Sequence, residues 1–71
     1  MSTIAVMYIG KKLKAQRIKR FMTQEQFAPL VGLSRDHLGR IERNEHEPHF
    51  STIQKIAERL EIEPAELVDE G

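Results

Sequence analysis

The sequence predicts an all-α domain of five short helices, and three observations carry that prediction. Apolar residues recur three and four positions apart along most of the chain, the spacing of a single helix face. Helix-starting chemistry precedes those stretches: Thr23 with Gln26 three positions on, Ser34 before Arg35, and Pro64 at the head of the last segment. Strand-like alternation is confined to Ile4, Val6 and Tyr8. Seventy-one residues make one domain, and a hydrophobic fraction of 39% is high enough for a folded core. A chain this small buries only about 60% of its unfolded surface, so its stability is marginal and dimerisation would help. With no cysteine, neither disulfides nor a zinc–thiolate site can add to it.

Residues 1–8 read as an N-terminal arm and residues 9–68 as the domain. The arm fits a strand, an extension of the first helix, a disordered tail or an apolar segment docked on a second subunit. The first helix runs from about Tyr8 to Arg20, with Ile9, Leu13 and Arg17 on one stripe and Lys11, Lys12, Lys14 and Lys19 around the rest. An arginine on a core-facing stripe needs a partner, because an unpaired buried charge is costly. Thr23 and Gln26 form a capping box for the second helix, and Glu25 suits its positive end. This helix reaches about Val31. Pro29 removes one backbone hydrogen bond and disfavours the helical conformation at Ala28, which predicts a kink or an early end.

Gly32 supplies the turn, and Ser34 caps a third helix over Arg35 to Arg43 that Asn44 ends. Glu45 to His49 is a loop fixed by Pro48. Phe50 or Ser51 opens the fourth helix, whose stripe is Ile53, Ile56, Ala57 and Leu60. Pro64 begins a short fifth helix, Ala65 to Val68, with Leu67 inward. The expected core is Leu13, Met22, Phe27, Ala28, Val31, Leu33, Leu38, Ile41, Phe50, Ile53, Ile56, Ala57, Leu60, Ile62 and Leu67.

Net charge is zero, yet its distribution is not even. Residues 1–43 carry nine Lys or Arg against three acids, and residues 44–71 carry two against eight, so the halves stand at +6 and −6. The basic half contains the third helix, which exposes Arg35, Asp36, His37, Gly39, Arg40 and Arg43. A helix of this size fits the major groove of B-form DNA, where such side chains reach base edges and phosphates. The charge split alone fits a solvated basic helix and a solvated acidic tail equally well.

Other chemistry has little support. No Ser-His-Asp, Cys-His or paired-carboxylate constellation is present, and so small a domain has little room for a substrate pocket, so an enzyme is not expected. His46-Glu47-Pro48-His49 invites a metal reading, but the proline breaks the helical spacing that zinc sites often use; no metal and no cofactor are expected. No apolar run approaches the roughly 18 residues of a membrane span. The apolar start, Ile4 to Ile9, lacks the basic lead-in and cleavage site of a secretion signal, so a cytoplasmic location is expected.

Thr23-Gln24-Glu25-Gln26-Phe27-Ala28, Gly32-Leu33-Ser34-Arg35, Arg40-Ile41-Glu42-Arg43-Asn44, Pro48, and Thr52 through Ala57 to Leu60 and Pro64 together resemble the phage-repressor-like helix-turn-helix family, also called the xenobiotic-response-element family. The resemblance spans about residues 9 to 68. It implies a compact five-helix DNA-binding domain that acts as a homodimer on a palindromic operator. It places Arg35, Asp36, Gly39 and Arg40 at base-reading positions. It places Thr23, Gln24, Arg43 and Asn44 near phosphates, and Arg17 with Glu42 in a structural ion pair. Ser34 and His37 are further candidates for phosphate, with a base contact or plain surface equally open for His37. Arg35 and Arg40 suit guanine, whose O6 and N7 a guanidinium can bond together, and Asp36 suits a cytosine amino group or the orientation of Arg40.

The family commonly has glycine where this chain has Phe21, and phenylalanine resists the left-handed conformation, so the first helix is expected to close differently. Small members include phage repressors and restriction–modification controller proteins. The alternative is an antitoxin-like interaction module that also binds DNA, with a toxin or RNA polymerase as its protein partner. Such modules often carry a dedicated extension, and the short run after the fifth helix favours a stand-alone regulator.

Overall fold

A computed structural model of the chain describes residues 8–68, and the expected N-terminal arm therefore lies almost wholly outside the described residues. Four α-helices follow one another: α1 (Gly10–Lys19), α2 (Gln24–Val31), α3 (Arg35–Glu42) and α4 (Phe50–Leu60). The fifth expected helix is a single 3-10 turn, Pro64–Glu66, so the count of five α-helices is corrected to four and a turn. Proline opens the turn, and the Glu66 carboxylate accepts the Glu63 N–H at 2.9 Å at its start, but three residues are too few to propagate an α-helix. Among the described residues no helix is long and apolar enough to cross a membrane.

Packing follows the apolar stripes. α1 lies on α3, α2 packs on both α3 and α4, and α4 holds the 3-10 turn. The core comprises Ile9, Leu13, Phe27, Ala28, Val31, Leu38, Ile41, Ile53, Ile56, Ala57, Leu60 and Leu67, with Met22, Leu33 and Ile62 packed against it. Ile9 joins the expected set, and Phe50 leaves it with half its surface exposed. Phe50 stands on the α4 stripe, but at the first helical position its side chain leans toward the N-terminus and past the end of the core.

The helix ends share one device. Each α-helix is followed by a left-handed residue, and the next residue's N–H returns to a carbonyl five positions back. These bonds are Met22 to Arg17, Leu33 to Ala28, Glu45 to Arg40 and Ile62 to Ala57. The left-handed residues are Phe21, Gly32, Asn44 and Glu61, and only one of them is glycine. Phe21 corrects the expectation that α1 closes differently. Its φ of 57° accepts the strained conformation, with almost no packing in return, since it is 94% exposed. Of the two outcomes expected at Pro29, the early end does not occur: α2 continues through it to Val31, where the helix was expected to stop. Its ring is on the exposed side, where the carbonyl deprived of a partner can face water.

Candidate nucleic-acid interface

The N-terminus of α2 and the outer face of α3 form one open depression of about 270 Å³, lined by Gln24, Arg35, Asp36, Gly39, Arg40 and Arg43. The helical period explains this gathering. At about 100° per residue, those five α3-side positions occupy an arc of roughly 140°, while Leu38 and Ile41 point the opposite way into the core. The capping chemistry fixes both helices. Thr23 Oγ1 accepts the Gln26 N–H at 3.1 Å, and the Gln26 side chain accepts the Thr23 N–H at 2.9 Å. Ser34 Oγ accepts the His37 N–H at 3.1 Å. Both hydroxyls, expected near phosphates, thus hold helix starts, and the remaining free N–H groups of the first turns point outward.

Beneath the depression runs a buried polar seam. Arg17 Nε donates to Glu42 Oε2 at 2.8 Å and Nη2 to Oε1 at 3.0 Å, a bidentate pair whose side chains are 14% and 3% exposed. The third donor position, Nη1, reaches the Met22 carbonyl at 3.0 Å. The left-handed turn at Phe21 brings that carbonyl back over α1, so the strained residue completes the arginine's set of acceptors. Hydrogen bonding to Glu42 raises the Arg17 pKa above its ordinary value, against desolvation, which opposes it. Gln24 joins the same network, with Nε2 donating to Glu42 Oε1 at 3.1 Å. One face of Glu42 therefore ties α1 to α3, and the other fixes the first side chain of α2 over the depression.

Two glycines make room for this. A Cβ on Gly39 would lie 3.1 Å from Arg43 Nη1 and 3.6 Å from Gln24 Oε1, so the two long side chains close over a bare backbone. Gly39, expected at a base-reading position, offers no side chain of its own and leaves space beneath Arg43 and Gln24. Gly10 was not singled out in the sequence. A Cβ there would collide with the carbonyl oxygens of Ile41 and Glu42, so α1 meets the end of α3 backbone to backbone. No local pattern marks such a long-range approach.

The remaining expected residues divide. Arg35, Asp36 and Arg40 are exposed in the depression, and Asp36 forms no ion pair with Arg40 among the described residues. Arg43 is also exposed, but Glu45 holds it by two bonds of 2.8 and 3.1 Å. This contact raises the Arg43 pKa and holds the Glu45 carboxyl below the usual range. Glu45 was missed because the left-handed Asn44 reverses the chain between the two, and no helical spacing rule covers that geometry. Asn44 sits at the α3 end with its side-chain oxygen over Gly10. His37 is about 130° around α3 from the centre of the arc that lines the depression, with its ring 4.8 Å from that of His46.

The chain matches the family model described as helix-turn-helix over residues 13–67. It is 39% identical over 64 residues to the immunity repressor protein of Bacillus phage phi105, a match covering 90% of this chain and 44% of that one. The chain therefore spans less than half the length of that relative. It is 40% identical over 58 residues to the uncharacterized HTH-type transcriptional regulator YazB of Bacillus subtilis strain 168, covering 82% of this chain and 84% of that one. Among solved structures, it resembles the restriction–modification controller protein C.AhdI from Aeromonas hydrophila with a TM-score of 0.74. The two are 37% identical, and the similarity covers 84% of this chain and 91% of that one.

Proposed function

The chain belongs to the helix-turn-helix family of DNA-binding transcription regulators, and on that premise we propose that it binds double-stranded DNA sequence-specifically as a homodimer on a palindromic operator. The observation that carries this reading is the single concave face where Arg35, Asp36, Arg40, Arg43 and Gln24 converge above a rigid buried ion pair. α3 enters the major groove. Arg35 and Arg40 read guanine, and the open N-terminus of α2 meets a phosphate through backbone N–H groups. Gln24, one of whose amide hydrogens is turned toward Glu42, keeps its other amide hydrogen and its backbone N–H for that contact. Two-fold symmetry puts half-site centres about one helical turn, ~34 Å, apart. Cytoplasmic location and regulation by protein concentration complete the reading.

Selection of duplexes from a random pool at ~150 mM salt tests it directly. An enriched palindrome is expected. The absence of enrichment, with binding that vanishes as salt rises, would reduce the protein to non-specific electrostatics. On the selected site, Arg40→Ala is expected to cost about 1–3 kcal/mol while leaving random-sequence binding nearly unchanged. An equal loss on both would remove Arg40 from base reading.

A further inference from the structure

Of the three described glycines, two have a reason in the fold. Gly10 lets α1 meet the backbone of α3, and Gly32 takes the left-handed turn after α2. Gly39 has neither reason. It is the fifth of the eight residues of α3, and its backbone is helical. The atoms nearest to a Cβ there would be the ends of two side chains, Arg43 Nη1 at 3.1 Å and the Gln24 amide at 3.6 and 3.8 Å. Arg43, the nearer, is more than half exposed and can move aside. Glycine inside a helix is destabilising relative to alanine. The chain therefore bears a cost at Gly39 that its packing does not require.

The place of Gly39 in the depression supplies a reason. Arg35 stands one turn before it and Arg43 one turn after, each about 40° to either side, and Gln24 closes a third side. The Arg43 N–H donates to the Gly39 carbonyl at 3.1 Å, and in mid-helix the N–H of Gly39 is engaged in the same way. What Gly39 shows to a partner is thus a Cα surface with no free donor or acceptor. Base pairs project one apolar group into the major groove, the methyl on C5 of a pyrimidine. On the reading that α3 enters that groove, we propose that the bare backbone at Gly39 is the seat of a pyrimidine 5-methyl group. The glycine then selects a methyl-bearing pyrimidine beside the guanines read by Arg35 and Arg40. In the free protein Arg43, held by Glu45, lies over this seat. It uncovers the seat when it turns to a phosphate. Thymine and 5-methylcytosine carry the same methyl group, and the seat accepts either.

The test takes the duplex enriched from the random pool and replaces each thymine in turn by deoxyuridine, and each cytosine in turn by 5-methylcytosine. Both series are titrated with the full chain and with Gly39→Ala. At one thymine, loss of the methyl should weaken the unaltered chain about fourfold, the worth of one buried methyl group. A gain of the same size at one 5-methylcytosine assigns the seat to a modified cytosine instead. Gly39→Ala fills the seat with its own methyl, so it should lose about tenfold or more on the duplex that carries the base methyl. On the duplex that lacks it, the variant should bind within about twofold of the unaltered chain. Its melting temperature should not fall, since alanine favours the helix. Three results would overturn the proposal. One is a flat response of the unaltered chain to both series. Another is an equal loss by Gly39→Ala with and without the methyl, which would tie the glycine to the placing of Arg43 and Gln24. The last is a lower melting temperature in Gly39→Ala, which would give the glycine a reason in the fold. Failure of the DNA-reading role has a different signature, because then no duplex is enriched or Arg40→Ala loses no discrimination, and the seat falls with it. Discrimination lost in Arg40→Ala beside a flat response to both series removes the seat alone.

Discussion

Two ion pairs flank α3, and both have an arginine Nε 2.8 Å from a glutamate oxygen. Arg17–Glu42 lies in the seam between α1 and α3, nearly closed to water, while Arg43–Glu45 has more than half of each side chain exposed. Identical geometry therefore has opposite consequences. In the seam, each nitrogen of the arginine fork has an acceptor, and removing the carboxylate would strand a desolvated charge. At the helix end, water and salt compete for both groups, and the pair contributes little to the fold. The first pair lies beneath the depression that α2 and α3 form. The second occupies an arginine that lines the depression, and the proposed DNA contact would exchange its carboxylate for a phosphate.

The most damaging way to break the comparison is Glu42→Ala. It leaves Arg17 86% covered without its carboxylate and also releases Gln24. A loss of about 3–5 kcal/mol is expected, a large share of the stability of so small a domain. The melting temperature should fall by more than about 10 °C. An unchanged melting temperature would mean that the seam is not what holds α1 to α3.

Next in size is Gly10→Ala, which adds one methyl group where α1 meets the carbonyls of Ile41 and Glu42. Backbone atoms on the far side cannot turn away as a side chain would, so a loss of about 2–3 kcal/mol is expected by denaturant melts. A neutral result would show that α1 can slide, and that the ion pair rather than the close approach sets its position.

Phe21→Gly sharpens the comparison in the other direction. Glycine adopts φ near 57° without the penalty phenylalanine bears, and little buried surface is lost. Stability should rise by about 1 kcal/mol, with the Arg17 to Met22 bond kept. A decrease would mean that the exposed ring has a contact of its own.

These residues also show what the sequence discloses. The helices, the capping box and most of the core were legible because they rest on local spacing and on side chains that act within one turn of themselves. Arg17 was legible as a partnered arginine because its inward position contradicted its charge, and the family resemblance supplied Glu42. Gly10, the Gln24–Glu42 bond and the Glu45 contact were not legible, because each depends on where two separated segments meet. Phe21 misled, and Pro29 does not end α2 early, for one reason. Local preference is worth about 1–3 kcal/mol, and the packing of α1 and α2 outweighs it.

The smallest effect on the fold, and the most informative about function, is expected from Glu45→Gln. Neither charge of that pair is buried, so the melting temperature should stay unchanged within error. The freed Arg43 then loses its hydrogen-bonded carboxylate, with Asp36 left as a more distant charge. If it meets a phosphate in the complex, DNA affinity rises at low salt, and the slope of log K against log salt steepens by about 0.9, the share of one more neutralised phosphate. Acid is no substitute for the mutation. Arg43 holds the Glu45 carboxyl below its ordinary range, so the pair's small contribution to stability is present above that range. It is lost only as pH falls through the lowered value, well after other carboxylates have begun to titrate. Affinity measured in Glu45→Gln at neutral pH therefore isolates this one contact. An unchanged salt slope would place Arg43 outside the phosphate contacts and leave Arg35 and Arg40 as the cations of the reading face.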